Sequence, residues 1–165
     1  MNIFYLDHDP KQAALWLCDK HIVKMGLEAY QMLHCAHVAM DGRHCSWMNH
    51  PCSLWARTSE DNYRWLYDHM MHIFYEYGYR YGRVHSYVSN HRVNEVKTLP
   101  PGPWRESRLT HPHLGMPEAC FVRDRETHLI DPVLSYREYY KLKYKTIMAR
   151  YTRRWVPEFL EEIDG

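Results

Sequence analysis

Along the chain, hydrophobic and polar residues recur with helical rather than alternating periodicity. Ile3, Phe4, Tyr5 and Leu6 form an apolar arm too brief to found a sheet. Asp9-Pro10 marks a helix start, with Asp as the cap and Pro at the first helical position. From there to about Met40, a stretch rich in Ala, Leu, Lys, Gln and Met predicts one kinked helix or two in succession, stopped by Asp41-Gly42. Asn49-His50-Pro51 demands a turn or loop near Pro51. A second long helix is expected from Thr58 or Ser59, with Glu60 and Asp61 in the first turn, where the helix dipole favours acids. Tyr63, Leu66, Met70, Ile73, Phe74 and Tyr77 give it an apolar stripe, and Gly78 to Gly82 end it. Pro100, Pro101, Pro103, Pro112 and Pro117 impose a long irregular loop between Thr98 and Pro117. A last helix fits Leu134 to Arg153, ahead of Pro157. The expected fold class is all-α: residues 1–165 as a compact single helical domain with a long Pro-rich loop.

One helical edge concentrates chemistry. At about 100° per residue, His21, Lys24, Glu28 and Gln31 fall within about 80° of one another. Ile22, Val23, Leu27, Tyr30 and Leu33 occupy another sector, expected to face the core. Lys24 and Glu28 are spaced for an i, i+4 ion pair, as on any solvated helix face. The same edge also suits a cleft in which His21 and Lys24 flank Glu28. A carboxylate beside a cation stays ionised, which serves to stabilise a developing cation better than to donate a proton.

Composition narrows the partners. The chain has 165 residues, 45% of them hydrophobic, and 21 Lys plus Arg against 20 Asp plus Glu. That near-balance excludes a purely electrostatic nucleic-acid binder, so any such contact needs a local basic patch. No signal pattern or long apolar run is present, and the five Cys are odd in number with no CxxC spacing. The expectation is a soluble cytoplasmic protein with reduced thiols. His34, Cys35, His37, His44, Cys45, His50 and Cys52 crowd one segment, so a zinc site or a Cys/His nucleophile pair is conceivable, although no familiar ligand spacing occurs.

Towards the C-terminus, Tyr136, Tyr139, Tyr140, Lys141 and Lys143 interleave aromatics with cations, a pattern suited to stacking bases and holding phosphates. The same Tyr residues would serve equally well packed inward. Trp104, Arg105, Arg108, His111 and His113 in the Pro-rich loop offer either a second contact surface or a structural wrap.

Asp19-Lys20-His21, followed seven residues after the His by Glu28, resembles the first-helix motif of the pyrimidine-dimer DNA glycosylases, the endonuclease V family of T-even phages. The short arm before that helix, the helix from Ser59 with Asn62-Tyr63-Arg64-Trp65-Leu66-Tyr67, and the segment Tyr136 to Tyr144 are similar to other parts of that family. The resemblance implies a small phage-encoded helical enzyme that flips a nucleotide from DNA and cleaves its glycosidic bond. It implies an α-amine nucleophile, from Met1 or from Asn2 if Met1 is removed, with Glu28 as catalytic carboxylate and His21 in support. An α-amine, with an ordinary pKa of about 7.7–8.0, carries a useful neutral fraction near pH 7. The arginines next to the family's Glu have no counterpart here, where Ala29, Tyr30 and Gln31 follow; Lys24 is a second amine for imine chemistry.

The leading expectation is therefore a DNA glycosylase, with or without lyase activity, acting on a damaged or modified pyrimidine without metal or cofactor. It would act as a monomer, away from membranes, in the cytoplasm of an infected bacterial host if phage-encoded. Gln31, Asn49, His50, Arg57 and the Tyr/Lys segment are candidate substrate contacts, with Trp47 and Trp55 as stacking partners. The alternatives are a non-catalytic nucleic-acid- or protein-binding phage module and a zinc-dependent hydrolase built on the His/Cys cluster.

Overall fold

The computed structural model describes residues 1–161, except the side chain of Lys145. The protein is all-α. Its helices are α1 (Pro10–Leu15), α2 (Asp19–Met40), α3 (Pro51–Ala56), α4 (Glu60–Tyr81), α5 (Ser86–Ser89), α6 (Pro132–Thr146) and α7 (Glu158–Glu161). Two 3-10 turns, Arg92–Val96 and Glu118–Cys120, and one antiparallel pair, β1 (Val122–Arg123) with β2 (Ile130–Asp131), complete the described elements.

The two long helices form the centre. Ser59 caps α4 by accepting the Asn62 N–H at 3.0 Å, and Gly82, at φ 67°, closes it in the left-handed conformation. Gly26 of α2 lets α4 approach closely: a Cβ there would stand 2.5 Å from Phe74 Cε1. Met25, Ala29, Met32 and Leu33 on α2 pack with Leu66, Met70, Ile73 and Phe74 on α4 in one core. Val23, expected inside, is instead 51% exposed, because the sector holding Met25, Glu28 and Met32 turns inward.

The stretch from Pro10 to Met40 is two helices, separated at Trp16–Cys18. Neither Gly nor Pro causes the break. The guanidinium of Arg80, with no exposed side-chain surface, donates to the carbonyls of Leu15 (3.0 Å) and Leu17 (2.8 Å) and pairs with Asp19 (3.1 Å). Glu76, which also binds Arg154, completes this buried ionic network. The last long helix ends at Thr146 rather than Arg153. There Met148 takes a left-handed φ of 47°, and the chain turns back so that Thr152 binds the Asp19 carboxylate.

The apolar arm threads into the core without pairing as a strand; Ile3, Phe4, Tyr5 and Leu6 are all buried. The Pro-rich segment is irregular as its composition requires. Thr110 pins it through its Oγ1, N–H and carbonyl to Asn62 and Trp55. Sequence suggested only reduced thiols, yet Cys35 and Cys45 form a disulfide that ties the 41–50 loop to α2; Cys18, Cys52 and Cys120 are free and buried. Among the described residues, no helix is long and apolar enough to cross a membrane.

Candidate active site

The site starts from the N-terminal turn. Asn2 Oδ1 accepts the N–H groups of Ile3 (2.7 Å) and Phe4 (3.1 Å), while Phe4 adopts a positive φ of 52°. This folds the first two residues sharply against α2. Asn2 Nδ2 donates to the Gly115 carbonyl at 3.2 Å, and the Met1 thioether lies 3.8 Å from the Ser53 hydroxyl. Three segments distant in sequence therefore clamp the chain start: α2, α3 and the Pro-rich loop.

At the centre of that clamp lies Glu28, whose side chain is only 11% exposed. Its Oε2 accepts the Asn2 N–H at 3.1 Å and lies 3.9 Å from the Met1 α-amino nitrogen. Its Oε1 pairs with Lys24 Nζ at 3.0 Å, but Lys24 itself is 68% exposed. A shielded carboxylate with an amine near each oxygen has the arrangement that can offset a positive charge beside it. The deprotonated amine is a nucleophile within reach of the same point.

His21 supports this arrangement from behind. Cys18 N–H donates to the Tyr140 hydroxyl (2.8 Å), which also hydrogen-bonds with His21 Nδ1 (2.7 Å). The imidazole stacks on Phe4 with ring centroids 4.3 Å apart. Burial, reinforced by Lys143 and Lys24, pushes its pKa down to about 4, so it stays neutral. His21 positions the arm that carries Met1.

His50 caps α3, its Nδ1 accepting the Cys52 N–H at 3.2 Å. Burial lowers its pKa, the positive chain terminus and His113 lower it further, and Glu28 opposes them. His50 and His113 thus belong to the amine's surroundings. Nothing in the sequence signals that role for His113. Cys52 lies in the same field, but burial raises its thiol to about pKa 11, so it is no thiolate nucleophile. Gln31, half-buried one turn beyond Glu28, lines a hollow of about 320 Å³ with His34 and Trp47, and the Trp47 ring is 49% exposed at its edge. Asn49 is exposed on the neighbouring loop. Arg57 closes α3 on its far side, in a different hollow.

The C-terminal aromatic segment requires a correction. Tyr136 and Tyr140 have no exposed surface, and Tyr136 donates to the His113 carbonyl at 2.6 Å, so neither is available to stack on a base. The helical period turns both inward to form the back wall of the site. Tyr139 is half-buried beside Phe4 with Lys143 Nζ 5.0 Å from its ring centre, and Lys141 pairs with Glu138 at 2.8 Å. Trp55, also expected to stack on a base, is buried with its indole N–H on the Thr110 carbonyl. Among the described residues, no three His, Cys, Asp or Glu side chains converge as metal ligands, and the disulfide consumes two sulfurs of the His/Cys-rich segment.

No curated protein and no solved structure matches the chain. A family model described as pyrimidine dimer DNA glycosylase matches residues 1–89, more than half of the sequence, including the arm, Glu28 and both long helices. The chain belongs to the pyrimidine dimer DNA glycosylase family.

Proposed function

We propose that the protein is a DNA glycosylase with lyase activity, acting on a damaged or modified pyrimidine through the α-amine of Met1 and the carboxylate of Glu28. The observation that carries this reading is the 3.9 Å approach of that amine to Glu28 inside a shielded clamp. In the reaction, the neutral amine forms a C–N bond to C1′ of the target nucleotide as the glycosidic bond breaks. The base departs with the bonding pair and takes up a proton. The nitrogen then loses a proton and its lone pair expels O4′, which is protonated; the product is an iminium ion. The Glu28 carboxylate stabilises the cationic sugar on this path. Removal of a C2′ proton from that iminium ion would then release the 3′ phosphate by β-elimination.

If Met1 is processed, the Asn2 nitrogen, already 3.1 Å from Glu28 Oε2, takes its place as the amine. A nucleotide must leave the duplex to reach a recessed carboxylate. The half-exposed Trp47 ring and Gln31 supply a stacking face and a polar contact beside Glu28 for it. Lys24 and Lys143 place positive charge along the same rim for the DNA backbone.

The reading is tested by incubating the full chain with duplex oligonucleotides carrying ultraviolet or modified pyrimidine lesions in the presence of borohydride. A covalent protein–DNA adduct, with base release and strand scission in its absence, is expected. Binding without adduct or base release across the panel would instead identify a non-catalytic DNA-binding module.

A further inference from the structure

The hollow at the far end of α3 is built differently from the Glu28 site. It measures about 390 Å³ and lies where the end of α2, the end of α3 and the Pro-rich loop meet. Met40, Met48, Leu54 and Trp104 provide apolar walls, and Arg57 and Arg105 provide positive charge. Their backbones are fixed: Thr58 accepts the N–H groups of Arg105 and Glu106, each at 2.9 Å, and Trp104 packs edge-on against Tyr63.

The two charges are uncompensated. Arg57 Nη1 is buried with no hydrogen-bond partner. Among the described residues, neither Arg57 nor Arg105 forms a salt bridge, although ten such bridges occur elsewhere. Burial and the neighbouring Arg105 both press against the charge on Arg57. Two convergent guanidinium groups without a carboxylate create a demand that a bound oxyanion satisfies, and phosphate oxygens match their donor forks.

We infer that this hollow is a phosphate-binding subsite, with Arg57 and Arg105 holding the phosphate and the Met40, Leu54 and Trp104 walls receiving the sugar or base attached to it. The hollow and the Glu28 site are linked through α3. Ser53 of α3 touches Met1, and Arg57 is the residue that ends the same helix. Assignment to a strand crossing both sites rests on the glycosylase reading; the phosphate site itself does not.

The test uses the full chain and an undamaged fluorescent duplex oligonucleotide titrated at several salt concentrations. R57Q and R105Q are each expected to weaken binding several-fold at low salt and to flatten the log K against log salt slope by about 0.9. R57K should retain the slope. In parallel, inorganic phosphate and thymidine monophosphate are tested for raising the Tm of the wild type but not of R57Q or R105Q. A change in the duplex slope assigns a backbone diester, whereas a Tm response alone assigns a free phosphate monoester. Folded variants, judged by unchanged circular dichroism, with wild-type slope and wild-type response to both anions would overturn the proposal. R105Q alters an exposed side chain, so it remains informative if R57Q does not fold. Loss of base release with arginine-dependent binding intact would count against the glycosylase reading alone.

Discussion

The α-amino nitrogen of Met1 sits 3.9 Å from Oε2 of Glu28, on the opposite side of the carboxylate from Lys24. The two amines are not equivalent. Lys24 is a long side chain, 68% exposed, whereas the Met1 side chain is 3% exposed and anchored near Ser53. A fixed amine loses little freedom on reaching a reacting carbon, so proximity favours Met1 as nucleophile. On the proposed mechanism, Lys24 is the ion-pair partner of Glu28 that a cationic sugar would displace.

Replacing Glu28 with Gln preserves an acceptor for the Asn2 N–H while removing the charge. We expect E28Q to bind lesion DNA within a few-fold of wild type, yet to release base about 100- to 1,000-fold more slowly, the scale associated with losing one preorganised electrostatic contact. Single-turnover base release alongside anisotropy titration checks this. Unchanged turnover would remove Glu28 from the mechanism.

The choice between amines is equally accessible. Acetylating the chain start, or extending it by one residue, should abolish the borohydride adduct, whereas K24M should keep it. Mass spectrometry should then locate the adduct in the peptide ending at Lys11. An adduct on Lys24 in the wild type would reverse the assignment.

The stripe of His21, Lys24, Glu28 and Gln31 is legible in the sequence because a helix repeats every 3.6 residues, so the Lys24–Glu28 ion pair follows from spacing, whereas the choice of Glu28 as the site's carboxylate follows from the resemblance of Asp19-Lys20-His21 and Glu28 to the family motif. What surrounds Glu28 is not legible. Asn2 meets Gly115 and Met1 meets Ser53 across long stretches of chain, with no local pattern marking either contact. The same holds for the break before Asp19, which depends on Arg80 arriving from α4. Tyr136 and Tyr140 show the converse case. Their aromatic and basic neighbourhood suggests a binding face, but four-residue spacing places both on the buried side of α6.

Disulfide pairing makes a countable forecast. Without reductant, the denatured chain should react with three equivalents of a thiol reagent, from Cys18, Cys52 and Cys120, rising to five after reduction. Opening the Cys35–Cys45 bridge by C45S removes a tether on the loop carrying Trp47, Asn49 and His50. A loss of about 2–3 kcal/mol in unfolding free energy is expected for a loop of this length. Five reactive thiols before reduction would show that the bridge does not form in solution.

Acid should destabilise the fold through its buried histidines. Burial, together with Lys143 and Lys24, holds His21 at a pKa of about 4, and burial also holds His69 at about 4. Unfolding returns each to about 6.5. Between these values the unfolded chain binds protons that the native chain refuses, so stability is full above about pH 6.5 and falls as the pH drops towards 4. Each histidine contributes a slope of up to about 1.4 kcal/mol per pH unit within that window. His37, His50 and His85, also lowered by burial, add in the same direction. His69 offers a second dissection: its Nδ1 is held by the Pro10 carbonyl at 3.0 Å, and the lysines that act on His21 are not among the causes of its shift. H69N should lower stability at pH 7.5 through lost packing, and should also make the decline between pH 6.5 and 4.5 shallower by about one proton's worth. Urea denaturation across that range measures both effects. A wild-type stability that stays level from pH 7 to pH 5 would contradict neutral, buried imidazoles at His21 and His69.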